Sequence, residues 1–141
     1  MLYVMLNPST ADASLDDPTI RRCIGFAKAL GFGGLEVVNL FAWRSTSPDA
    51  MFGVARGGQD IVGPDCDTTI LDAARGAGLV VAAWGADHRA SERASAVLAM
   101  ISNVADVHCL GRSGSGAPRH PLYLPGAARP ELFRAKEAGA S

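Results

Sequence analysis

Four short, largely apolar runs, separated by stretches with helical spacing, constrain the fold of this chain more than any other feature. The runs are residues 2–6 (LYVML), 35–41 (LEVVNLF), 79–84 (LVVAAW) and 105–110 (ADVHCL). A strand with one wet face alternates apolar and polar residues; a strand covered on both faces has no need to. Between the runs, apolar residues recur every three or four positions. Ile20, Cys23, Ile24, Ala27 and Leu30 form one stripe, Ile70, Leu71, Ala74 and Ala77 a second, and Ala90, Ala94, Val97, Leu98 and Ile101 a third. Such stripes cover sheet faces. The alternation predicts an α/β domain: three layers, α/β/α, around a central, mostly parallel four-stranded sheet.

Local signals sharpen the boundaries. Asp17 is a good helix N-cap and Pro18 a good first residue, since proline lacks the N–H that would go unpaired there. Gly31 is placed to end that helix in the left-handed conformation. Pro64 is expected to begin the next helix. Residues 49–63, with Gly53, Gly57, Gly58 and Gly63, predict an irregular excursion with at most one short helix. The tail from Pro130 is expected to add a helical turn or two. With 141 residues and no repeat, the chain reads as a single domain over residues 1–141. It opens directly inside the first apolar run. A terminal strand and a start site downstream of the natural one both fit.

Composition excludes some function classes. A net charge of −1 provides no global basic field, although a local basic patch remains compatible with it. Only Lys28 and Lys136 of the 13 basic residues are lysine. Arginine suits bidentate contact with phosphate or carboxylate, and a codon bias toward arginine explains the ratio equally well. Cys23, Cys66 and Cys109 are widely spaced, with no CxxC pair, and are expected as buried thiols in a reducing, cytoplasmic setting. No window approaches the roughly 18 apolar residues of a membrane span, so no membrane partner is expected. There is no GxxxxGK[ST], no GxGxxG after the first strand, no GxSxG and no zinc spacing of His and Cys. Neither a metal nor another cofactor is expected.

The polar residues fall unevenly. Ligands of open parallel sheets bind beyond the carboxyl ends of the strands. The segments there hold Asn7, Ser9, Thr10, Asp12, Arg44, Ser45, Thr46, Asp87, His88, Arg89, Arg112, Arg119 and His120, whereas 31–34 and 76–78 are bland turns. Asn7, stiffened by Pro8, can hold a water or read an amide edge. Asp12 is a candidate base; Asp16 and Asp17 lie close by, and Asp17 is accounted for as a cap. Asn39, inside the second strand, needs a hydrogen-bond partner and can either pin the first loop or face the site. Trp43 can stack on a base or close the end of the core. Arg44, with Ser9 and Thr10, fits a phosphate or sugar contact. His108 is expected to pack or bond internally. Arg119 and His120 follow a glycine-rich turn and can reach the rim as a pair. The candidate catalytic residues are therefore Asn7, Asp12 and His120. The candidate substrate-binding residues are Ser9, Thr10, Asn39, Trp43, Arg44 and Arg119.

Residues 5–23 (MLNPSTADASLDDPTIRRC), 33–48 (GGLEVVNLFAWRSTSP) and 119–124 (RHPLYL) resemble, in order, the DUF1643 family of bacterial and phage proteins. Members of that family tend to carry extra sequence before this first strand. A wider resemblance is to the uracil-DNA glycosylase superfamily. There a polar residue, followed by Pro in one branch, stands after the first strand, as Asn7-Pro8 does here. A late His-Pro-Ser motif enters the minor groove; His120-Pro121 is similar, with Leu122 where Ser is usual. That resemblance implies a glycosylase-like hydrolase acting on a base or nucleoside in DNA or a related nucleotide. In it Asn7 would position water, His120 would stabilise the leaving base, and Asn39 and Arg44 would contact base and backbone. The alternatives are a non-catalytic nucleotide or nucleic-acid binding module and a hydrolase of an unrelated small molecule. The sequence leaves oligomeric state open.

Overall fold

The computed structural model describes residues 1–8 and 17–137. Five strands form one sheet in the order β2-β1-β3-β4-β5. These are β1 (Leu2–Met5), β2 (Glu36–Asn39), β3 (Val80–Ala82), β4 (Val107–Cys109) and β5 (Glu131–Arg134). β1 to β4 run parallel, with Leu2 opposite both Glu36 and Val80, and Val81 opposite His108. β5 is antiparallel to β4, with a register shift between Val107 and His108. The expected four-stranded sheet is thus corrected to a mixed, mostly parallel sheet of five. The tail expected to turn helically is the fifth strand. β4 would otherwise present an open edge of unpaired N–H and C=O groups, and β5 pairs with it.

Strand period explains both covered faces. Leu2, Val4, Val80, Ala82, Trp84 and Val107 point to one side and pack with α2 (Pro48–Arg56), α3 (Cys66–Gly76) and α4 (Ser91–Ser102). Tyr3, Met5, Val81, Ala83 and Leu110 point to the other, against Cys23 and Phe26 of α1 (Pro18–Ala29) and against Leu124. β1 lies between two parallel neighbours and is buried throughout, hence its unbroken apolar run. All three cysteines are buried free thiols, and burial pushes each thiol upward, Cys23 to about 12.

The helix ends follow the sequence signals. Asp17 Oδ1 accepts from the N–H groups of Thr19 (2.8 Å) and Ile20 (3.4 Å), capping α1 ahead of Pro18. At the other end Gly31 has φ 83°; its N–H reaches Lys28 O, and that of Phe32 reaches Ala27 O at 2.9 Å. α2 is the short helix expected within 49–63, capped by Ser47. α3 starts at Cys66, two residues later than Pro64. On α1 the most buried aromatic is Phe26, outside the expected stripe, while Ile20 and Ile24 are only partly covered.

Candidate active site at the carboxyl rim

α1, the helix that follows β1, packs on one face of the sheet, whereas α4, the helix that follows β3, packs on the opposite face. β1 and β3 are neighbours, so their carboxyl ends diverge and leave a crevice between them, as is general for open α/β sheets. A cavity of about 460 Å³ occupies this position. Among the described residues its walls include Asn7 and Pro8 after β1, Asn39 and Arg44 from β2 and its loop, Trp84 after β3, Asp17 and Thr19 at the start of α1, and His120. Its size suits a small-molecule or nucleotide ligand. A depression of similar size lies at the opposite rim, among Met1, Gly34, Glu36, Asp72, Gly76 and Gly78. There the turns are short and Asp72 already faces Arg75 at 3.5 Å, so the convergent polar set belongs to the carboxyl rim.

Each member is held by the local fold. Asn7 extends β1, and its Nδ2 lies 3.4 Å from Pro8 O. Beyond the strand ends, β2's loop continues to track β1: Leu40, Phe41 and Ser45 donate their N–H groups to Met5, Leu6 and Pro8 carbonyls. This fixes Arg44 beside Pro8. Val37 packs on the α1 side, so Asn39, two residues on, shares that side and lines the cavity. The end of β2 is braced from behind by Arg93 of α4, which donates to Leu40 O at 2.8 Å and pairs with Asp67 at 2.7 Å.

His120 precedes a 3-10 turn (Pro121–Tyr123) fastened to α1. Arg22 Nε donates to Pro121 O at 3.3 Å, its Nη2 donates to Leu124 O, and its guanidinium lies over the Phe26 ring. His120 Nδ1 accepts from Leu122 N–H at 3.2 Å, which places the proton of the neutral ring on Nε2. Burial pulls the imidazole below its ordinary value, partly offset by the Asp17 carboxylate. His120 is therefore a neutral hydrogen-bond donor at neutral pH. Asp17 Oδ1 is engaged by the helix cap, and among the described residues none donates to Oδ2.

The structure thus brings together Asn7, Asn39, Arg44 and His120 of the expected set. Ser9, Thr10, Asp12 and Asp16 lie outside the described residues. Trp43 neighbours Arg44 in sequence but is 37 % exposed and is not among the residues lining the cavity; Trp84 provides the aromatic wall instead and closes the end of the core. Arg119 directs its guanidinium to Tyr123 O. Asp87 caps the turn at His88 and pairs with Arg89 at 2.7 Å, a contact that lowers its carboxyl. Arg112 pairs with Glu131 and bonds Leu132 O. Of the two expectations for His108, packing and internal bonding, the second finds no support at Nδ1, which is buried without a hydrogen-bond partner among the described residues. Sequence reasoning missed Asp17, Trp84 and Arg22 as parts of the site. The signal for Asp17 was its position: a helix that follows a parallel strand begins at the carboxyl rim, so its cap is a rim residue too.

Among the described residues no three His, Cys, Asp or Glu side chains are grouped to hold a metal ion, and no helix is long and apolar enough to cross a membrane. No curated protein and no solved structure matches the chain. A family model described as "Protein of unknown function (DUF1643)" matches residues 1–122, the part of the chain that holds β1 to β4 and every described wall of the cavity. The chain belongs to the DUF1643 family.

Proposed function

We propose that the cavity at the carboxyl ends of β1 and β3 is the active site of a glycosylase-like hydrolase acting on a base or nucleoside in DNA or a related nucleotide. The observation that carries this reading is the convergence of Asn7, Asp17, Asn39, Arg44 and His120 from four separate chain segments onto one cavity, with Trp84 from a fifth. In this reading Asn7 orients a water, and the Asp17 carboxylate takes its proton as the water oxygen bonds to the sugar C1′. The C1′–N bond breaks, and its electron pair leaves with the base. The His120 Nε2–H donates a hydrogen bond to that base, which takes up a proton to complete hydrolysis. Asn39 reads the base edge and Arg44 holds a phosphate.

The Asn7-Pro8 and His120-Pro121 pairs resemble, at one rim, the first and last motifs of the uracil-DNA glycosylase superfamily. Leu122 departs from that pattern, and fold analogy alone does not fix chemistry. The three buried thiols fit a reducing, cytoplasmic compartment.

Incubation with uracil-, hypoxanthine- and alkyl-base DNA, followed by detection of abasic sites, tests the proposal. Turnover that is lost in Asn7→Ala and His120→Ala is expected. No turnover by folded protein across DNA, RNA and nucleosides would remove it. Arg44 at the cavity wall also favours a second reading, a nucleotide-binding module without catalysis. That reading predicts binding of the same substrates with no product formed.

A further inference from the structure

The exposed large apolar side chains among the described residues are Trp43, Leu122, Tyr123 and Leu132. Two of these, Leu122 and Tyr123, stand on the turn that follows His120. Tyr123 is 71 % exposed, yet its ring lies 5.8 Å from the His120 ring, tilted by 50°. An aromatic side chain so open to water, at the edge of a candidate site, contributes little to folding.

Its backbone is nevertheless firmly held. Tyr123 N–H donates to His120 O at 3.1 Å and Leu124 N–H to Pro121 O at 3.3 Å. Arg119 reaches Tyr123 O, and Arg22 reaches Pro121 O and Leu124 O. Two arginines thus fasten a three-residue turn whose outward side carries a bare aromatic ring. A pre-positioned ring of this kind loses little freedom on stacking with a planar partner. The charges nearby are Arg22, Arg119 and, across the cavity, Arg44, against Asp17. Among the described residues, positively charged side chains thus stand on both sides of the path a polyanion would take.

We propose that the turn is a stacking ledge for the base next to the one in the cavity, and that the ligand is single-stranded nucleic acid. This rests on reading the cavity as a nucleotide site and adds the substrate class. Single strands are bound by aromatic faces on which successive bases stack, together with cations that follow the backbone. A duplex keeps the neighbouring base stacked inside the helix, where the ledge has no face to meet.

The test uses labelled thymidine oligonucleotides of one, three and six nucleotides, titrated at several salt concentrations against the full chain. A hexanucleotide duplex and an acidic peptide of equal charge serve as controls. The hexamer is expected to bind at least about tenfold tighter than the mononucleotide, with affinity falling as salt rises. Tyr123→Leu is expected to weaken the hexamer by roughly 5- to 150-fold, the loss of one base stack, without weakening the mononucleotide. Tyr123→Phe should retain most of the affinity, because it keeps the ring. Circular dichroism identical to wild type shows that the variants fold. Equal affinity for one and six nucleotides, preference for duplex, equal binding of the acidic peptide, absence of hexamer binding, or an unaltered Tyr123→Leu would each overturn the proposal. Length-dependent binding of these oligonucleotides, with no product from base-modified DNA, RNA or nucleosides, would refute the hydrolase and leave the ledge standing. Turnover without length dependence would do the reverse.

Discussion

Asp17 is assigned two tasks, and one pair of substitutions separates them. Its Oδ1 caps α1 through one good hydrogen bond (2.8 Å to Thr19 N) and one long one (3.4 Å to Ile20 N), while its charge faces the cavity near His120. Asparagine caps helices as well as aspartate does, because its side-chain oxygen accepts in the same way. Asp17→Asn should therefore leave stability within a few tenths of a kcal/mol, whereas Asp17→Ala should cost about 1 kcal/mol. For a domain of this size that is roughly 4 °C in Tm, read by thermal circular dichroism. The chemistry should respond differently. Both variants lose the carboxylate, so both should lose turnover on whichever base-modified DNA proves to be a substrate. Both should also shift His120 further below the ordinary imidazole range, because the Asp17 charge offsets part of the effect of burial on that ring. An NMR titration of the His120 ring reads this without any substrate. If Asp17→Asn proves as unstable as Asp17→Ala, the capping argument fails. If His120 titrates unchanged in Asp17→Asn, the carboxylate does not act on the ring and cannot be its partner in catalysis.

Other consequences are open to measurement. Folded His120 takes up a proton less readily than the unfolded imidazole at about 6.5, so its contribution to stability is present above that value and is lost as pH falls below it; urea unfolding between pH 5 and 7 should show this slope in wild type and less of it in His120→Gln. Arg22→Met should release the ledge while leaving the sheet intact, seen as faster amide exchange confined to Tyr123 and Leu124, whose N–H groups bond within the turn; exchange that rises equally in β1 and β3 would instead mark Arg22 as a general stabiliser. Burial that raises all three thiols predicts that native protein at pH 8 resists a thiol reagent and that denaturant exposes three reactive groups. Rapid labelling of any native cysteine would contradict the packing of that element.

Much of this molecule is local. The cap at Asp17-Pro18 and the stop at Gly31 depend on a few neighbouring residues, and they stand where residue chemistry puts them. The largely apolar runs place β1 to β4 inside a sheet covered on both faces, and the uneven distribution of polar residues already singles out the carboxyl rim as the polar one. What local patterning does not contain is competition for partners. The segment 131–134 (ELFR) has no strong strand signature of its own; it is a strand because β4 had an edge to pair and Phe133 found Trp84, with ring centroids 6.2 Å apart. The cavity, too, depends on the helices that follow β1 and β3 packing on opposite faces, a property of strand order that no window of sequence encodes. That order turned a helix cap into a cavity wall, substituted Trp84 for Trp43 as the aromatic boundary, and brought His120 to Asp17 across more than a hundred residues of chain. Short-range bonding is fixed by neighbours along the chain, whereas a site assembled from five segments is fixed by which faces those segments could bury.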